Sequence, residues 1–186
     1  NGMALHKFGA NVELIAKVGD DEFGRQIIEK CEEKGAKTKF IKAEGEDTSY
    51  TIVLAPPGFD RSFLHFTGTN DTFKFSDMDM EDIKDGYLFH FGYPTLMEGF
   101  YKDDAKELIE MYKTIKKAGL ITSLDVAAID SDSKAGRLDW EAILRNILPY
   151  VDIFEPSFEE LLCMVDKAKY TQLLERAGEE DVCMCL

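Results

Sequence analysis

The chain has no long apolar run, and the shortest stretch that crosses a bilayer as a helix needs about 20 predominantly apolar residues. No charged, apolar and small-residue succession of the secretory kind opens it either. Its 22 basic residues are outnumbered by 36 acidic ones, giving a net charge of −14, and no Lys/Arg cluster interrupts that field. Nucleic acid and acidic membranes are therefore poor partners, whereas a single locally positive site leaves polyanionic small molecules open. Cysteine is scarce: Cys31, Cys163, Cys183 and Cys185 show no paired framework, which points to a reducing, cytoplasmic compartment. Cys183-Met-Cys185 suggests a metal clip, but no histidine or further cysteine is spaced to complete four ligands. Internal repeats, low-complexity tracts and Gly/Ser linkers are missing. Nothing reads as a nucleophile triad, a zinc site or a Walker-type phosphate loop.

What is present is enough for a core. With 45% apolar residues in 186 the chain makes one domain, or a domain and part of a second. The organising stretch is Phe8 to Gly24. Residues Met3 to Phe8 read as a helix that stops at Gly9 in a left-handed turn. Val12 to Val18 reads as a strand ending at Gly19, and Asp20 or Asp21 is placed to cap the next helix by accepting its orphan amide protons. That helix, about Gly24 to Lys34, carries Ile27, Ile28 and Cys31 on one face and closes at Gly35. A short strand follows from Thr38 to Ile41.

Glu44 to Thr48 is a polar turn. Ser49 to Ala55 and Ser62 to Phe66 read as strands around Pro56-Pro57-Gly58 and the turn Gly58-Phe-Asp-Arg61, an aromatic-rich hairpin suited to covering something. Gly68 to Thr72 is expected to be a loop, and Ser76 a cap within the acidic segment Phe75 to Ile83. Tyr87 to Phe91 is an unbroken apolar run ending in Gly92, which fits a strand buried on both faces, with His90 a satisfied core histidine. A helix is expected from Asp104 to Ala118, with apolar residues at 105, 108, 109, 111, 112 and 115. Strands Leu120 to Val126 and Val151 to Phe154 flank a helix from Trp140 to Leu148. Ser157 caps a helix from Phe158 to about Asp166, in which Cys163 reads as a core thiol. This alternation argues an α/β fold with a parallel sheet and right-handed crossovers. In such sheets ligands sit beyond the carboxyl ends of the strands, here His90 and Gly92, Asp125, and the Pro156-Ser157-Glu160 region.

Spacing alone leaves the chemistry open. Asp125 suits a metal or a hydroxyl, and equally a cap of the following turn. Glu159 and Glu160 suit a site, but favourable interaction with the positive end of their own helix explains most such pairs. His6 and His65 form no arrangement with any Ser, Cys or Asp.

Five blocks in order add to this. Gly9 and Gly19 are separated by nine residues. Lys17-Val-Gly-Asp-Asp-Glu-Phe-Gly24, the strand pair 48–66 followed by Gly68-Thr-Asn70, Ser123-Leu-Asp-Val, and Asp152-Ile-Phe-Glu-Pro-Ser-Phe-Glu-Glu160 complete the set. Over nearly its whole length the chain resembles the ribokinase-like (PfkB) carbohydrate kinases. The resemblance implies a ribokinase-like parallel sheet flanked by helices with a small β lid at about 48–66. It implies ATP-dependent phosphorylation of a sugar or nucleoside hydroxyl, with Mg2+ and with ATP as co-substrate. It places Gly68, Asn70 and Gly92 on the sugar side, Asp125 near the cleft between sugar and nucleotide, and Glu160 at magnesium, through water. Ser157 stands where the family often has asparagine. The resemblance also implies a first strand before Asn1 and a Gly-Ala-Gly-Asp loop carrying the catalytic aspartate. Neither is in the 186 residues, so residues 1–186 are expected to be a partial kinase domain, without the nucleotide-binding part and inactive alone. The alternative is a catalytically inactive sugar-binding or scaffold module of the same fold. A homodimer through the lid is a further implication.

Overall fold

The computed structural model describes residues 2–59 and 61–177. Asn1, Asp60 of the expected hairpin turn and Cys183-Met-Cys185 lie outside the described residues. The chain divides after Phe73 into two compact units.

In the first unit, α1 (Gly2–Lys7) ends at Gly9, whose φ of 88° is the left-handed turn the sequence asks for. Strand β1 (Glu13–Gly19) runs parallel to β2 (Lys37–Ala43), in register from Glu13 opposite Lys37 to Gly19 opposite Ala43. The crossover between them is α2 (Glu22–Glu33), capped by Asp21, whose Oδ1 accepts from the Gly24 amide at 2.7 Å. Val18, Cys31 and Ala43 are buried, whereas Ile27 is exposed. Next come β3 (Tyr50–Leu54) and β4 (Ser62–Phe66), an antiparallel pair with Tyr50 opposite Phe66, every residue of which is exposed. The segment expected as a loop after them contains one helical turn, α3 (Thr69–Thr72).

The second unit opens with a 3-10 turn at Phe75–Asp77 and the short α4 (Met80–Ile83). The cap of α4 is Asp79, which accepts from the Glu81 amide at 2.9 Å. Ser76 lies inside the preceding turn and caps nothing there. Three strands, β5 (Leu88–Gly92), β6 (Ile121–Asp125) and β7 (Ile153–Phe154), pair in parallel in the order β5-β6-β7. Between them run α5 (Glu98–Lys117) and α6 (Trp140–Ile147), followed by α7 (Phe158–Val165) and α8 (Lys167–Ala177). The last of these is not expected from the sequence.

The core of this unit is the contact between α5, α6 and the sheet. Phe100, Leu108, Met111, Tyr112, Ile115, Leu124 and Ile147 are all but inaccessible, each contributing about 1.5–3 kcal/mol by leaving water. The Tyr112 hydroxyl is buried with them and donates to the Ser123 carbonyl at 2.7 Å, so its polar end costs little. Helix α5 starts earlier than the apolar period suggests. Its backbone leaves helical geometry from Lys102 to Ala105, with φ of 53°, 56° and 56° at Asp103, Asp104 and Ala105. The regular helix therefore resumes close to the expected start.

One expectation is corrected. Among the described residues β5 has a sheet neighbour on one side only. Tyr87 is 82% and Leu88 45% exposed, and His90 is exposed too, while Phe91 is buried. An apolar run does not distinguish a strand covered on both faces from an edge strand covered on one.

Candidate functional site

Because β5, β6 and β7 are parallel, their carboxyl ends meet at one edge of the sheet. Gly92 is the register partner of Asp125 there. The next residue, Tyr93, takes a left-handed conformation (φ 65°, ψ 40°) and donates its amide to the Asp125 carbonyl at 3.0 Å. A tyrosine in that region is uncommon and costs about 1–3 kcal/mol. The turn is held by the buried Thr95, whose hydroxyl donates to the Ala127 carbonyl at 3.1 Å and accepts the Ala127 amide at 3.2 Å. The chain just past β5 is thus tied to the end of β6 and the residues that follow it. Nothing in the residue spacing announces Tyr93 or Thr95. Both become visible once β5 and β6 are adjacent.

Asp125 is half-buried, and its Oδ1 accepts the Val126 amide at 2.9 Å, the turn-capping role that spacing left open. Its carboxyl is raised above the ordinary 3.8, first by burial. The Val126 amide opposes that rise, the negative charge of Glu160 adds to it, His90 opposes it and Glu155 adds a smaller push. The Glu160 carboxylate therefore lies near enough for its charge to reach Asp125. His90 lies two register positions below, opposite Ser123, its Nδ1 2.9 Å from the Ser123 Oγ.

Glu160 is positioned by its own helix. Ser157 Oγ accepts the Glu160 amide at 3.2 Å, and Glu160 Oε2 accepts the Ser157 amide at 2.7 Å, a reciprocal capping box. Glu160 thus does a structural task whatever else it does. The described residues contain no group of three or more His, Cys, Asp or Glu side chains placed to hold a metal ion.

Gly68 and Asn70 belong to the first unit. Gly68 has φ 47°, and a Cβ on it would lie 2.4 Å from the Asp47 carbonyl oxygen. Asn70 donates its side-chain amide to Ser49 Oγ at 2.9 Å. Both sit at the foot of the β3–β4 hairpin. A cavity of about 230 Å³ in the second unit is lined by Ile129, Leu138, Trp140, Cys163, Met164 and Lys167 among others. None of the five expected site residues lines it. Cys163 is half-buried, and burial pushes its thiol up, away from the reactive thiolate.

The fold is that of the ribokinase-like kinases. Fructokinase from Xylella fastidiosa superposes with a TM-score of 0.74 at 19% identity, covering 94% of this chain and 54% of that one. The same protein with bound ATP gives 0.73 at 20% identity, covering 94% and 54%. Ribokinase from Giardia lamblia gives 0.62 at 19% identity, covering 89% and 44%. The pfkB family carbohydrate kinase pattern matches residues 3–182, and the chain belongs to that family. Among curated relatives, an uncharacterized sugar kinase of Archaeoglobus fulgidus is 28% identical over 178 residues, covering 95% of this chain and 66% of that protein. A fructokinase of Vibrio alginolyticus is 24% identical over 186 residues, covering 99% and 59%. The chain spans less than two thirds of the length of these relatives.

Proposed function

We propose that this chain is part of an ATP-dependent kinase that phosphorylates a sugar hydroxyl. The observation that carries the reading is the family match across residues 3–182; fructokinase and sugar kinase relatives support the substrate class. Phosphoryl transfer needs the acceptor oxygen held in line with the γ-phosphate, charge neutralised on the phosphates, and a base for the hydroxyl proton. Gly68, Asn70 and Gly92 bind the sugar. Asp125, whose carboxyl burial raises above its ordinary value, orients a hydroxyl near the nucleotide.

Mg2+ keeps several waters and takes few protein carboxylates at phosphate sites, so a single carboxylate such as Glu160 fits a hydrated ion. Glu160 would hold it through water, and the ion would neutralise phosphate charge. The proton acceptor is not assigned to any residue here, because the Gly-Ala-Gly-Asp run the family resemblance implies does not occur in the 186 residues. Taken alone, residues 1–186 are expected not to turn over. A cytoplasmic setting and a homodimer through the exposed β3–β4 strands go with this reading. The alternative, a sugar-binding module without catalysis, is separated from it by assaying ATP-dependent phosphorylation across a sugar panel with the full-length gene product.

A further inference from the structure

The block Gly19 to Gly24 fits the family pattern, yet the site described above makes no use of it. Its Asp21 side chain and Gly19 amide converge on Thr48, the second residue before β3. Asp21 Oδ1 accepts the Thr48 hydroxyl at 2.6 Å, Oδ2 accepts the Thr48 amide at 2.7 Å, and the Thr48 oxygen in turn accepts the Gly19 amide at 2.9 Å. With the Gly24 amide on Oδ1, the carboxylate and the Thr48 hydroxyl tie together the end of β1, the start of α2 and the foot of β3. Thr48 is 2% exposed. The hydroxyl and the amides of Gly24 and Thr48 hold the Asp21 carboxyl below the usual range.

Three glycines let the backbones come this close. A Cβ on Gly19 would stand 2.1 Å from the Glu46 oxygen, one on Gly24 2.3 Å from the Gly19 oxygen, and one on Gly68 2.4 Å from the Asp47 oxygen. Gly68 follows β4, so both feet of the hairpin pass through the same node. The Thr69 amide donates to the Asp47 carbonyl at 2.9 Å and fastens the second foot to the first. Beyond the node the strands are exposed on both sides, and a two-stranded ribbon is marginally stable by itself. Its direction is set where it is rooted.

We propose that Asp21 and Thr48 form the pivot of the β3–β4 hairpin, fixing its feet while its arms stay free to move. Asp21 is then a positioning residue for Gly68 and Asn70, which leave the same node; this last step rests on the kinase reading. The test uses the full-length protein with Thr48→Val, which keeps the shape and removes the hydroxyl, and Thr48→Ser as the rescue. Amide hydrogen exchange in residues 50–54 and 62–66 should quicken by at least about tenfold in Thr48→Val, since a hydrogen bond to a charged group is lost. Exchange in β5, β6 and β7 should not change, and Thr48→Ser should restore the hairpin. For the sugar, KM should rise by a larger factor than kcat falls. Unchanged hairpin exchange, or faster exchange in the hairpin and β6 together, overturns the pivot. A wild-type protein that phosphorylates no sugar refutes the kinase reading, while the exchange result still decides the pivot.

Discussion

Glu160 caps its own helix, and one substitution separates that task from the proposed one at magnesium. Glutamine at the third helical position completes a capping box as glutamate does, so Glu160→Gln should leave the melting temperature of the full-length protein within a degree or two, by rough estimate. Turnover should fall and the magnesium dependence shift; if both stay as in the wild type, Glu160 has no part at the metal. Ser157→Ala, by contrast, should cost about 1 kcal/mol of stability through the lost cap. Asp125 gives a prediction of the opposite kind. Its folded-state pKa is raised, so the folded state holds the proton more tightly than the unfolded chain and ionisation works against folding. That penalty is absent below the ordinary 3.8 and grows as pH rises through the folded value. Asp125→Asn should therefore raise the melting temperature at pH 7 but not at pH 3, while lowering sugar phosphorylation. A variant less stable than wild type at pH 7 would contradict the assignment of burial as the cause.

Among the elements, the parallel strands β5, β6 and β7 and the hairpin differ in what holds them. Leu124 on β6 is 1% exposed, and Leu124→Ala should cost about 2–5 kcal/mol in denaturant unfolding. Leu88→Asp, on the open side of β5, should cost clearly less, because its side chain keeps access to water. Equal losses would mean that β5 is covered by something else in solution. Much of this was legible in advance. The bounds of β4, the cap by Asp21, the cap by Ser157 and the apolar period of α5 all follow from local chemistry, because caps and periods are satisfied within a few residues of chain. What was not legible is set by distant chain. Thr48 sits in a polar turn and shows its importance only when Asp21 reaches it from 27 residues away. Gly68 to Thr72 looks like a loop, and its helical turn is set off by the Thr69 hydroxyl, which donates to the Lys17 carbonyl at 3.0 Å. Leu88 and His90 look buried because an apolar sequence says nothing about how many neighbours a strand has.

At the scale of the molecule, each unit places a different part of the expected site. Gly92, Asp125 and Glu160 come together at one strand edge of the second unit, and Gly68 and Asn70 at the hairpin foot of the first. The acidic surface, with its net charge of −14, is poorly suited to hold free polyphosphate without a cation, which fits a nucleotide that arrives with magnesium. The most direct measurement is ATP-dependent phosphate transfer by the full-length gene product across a panel of sugars and nucleosides, with magnesium present and then chelated. The account predicts a phosphorylated sugar that forms only with the ion present. A protein that binds a sugar yet transfers no phosphate to any acceptor would contradict it.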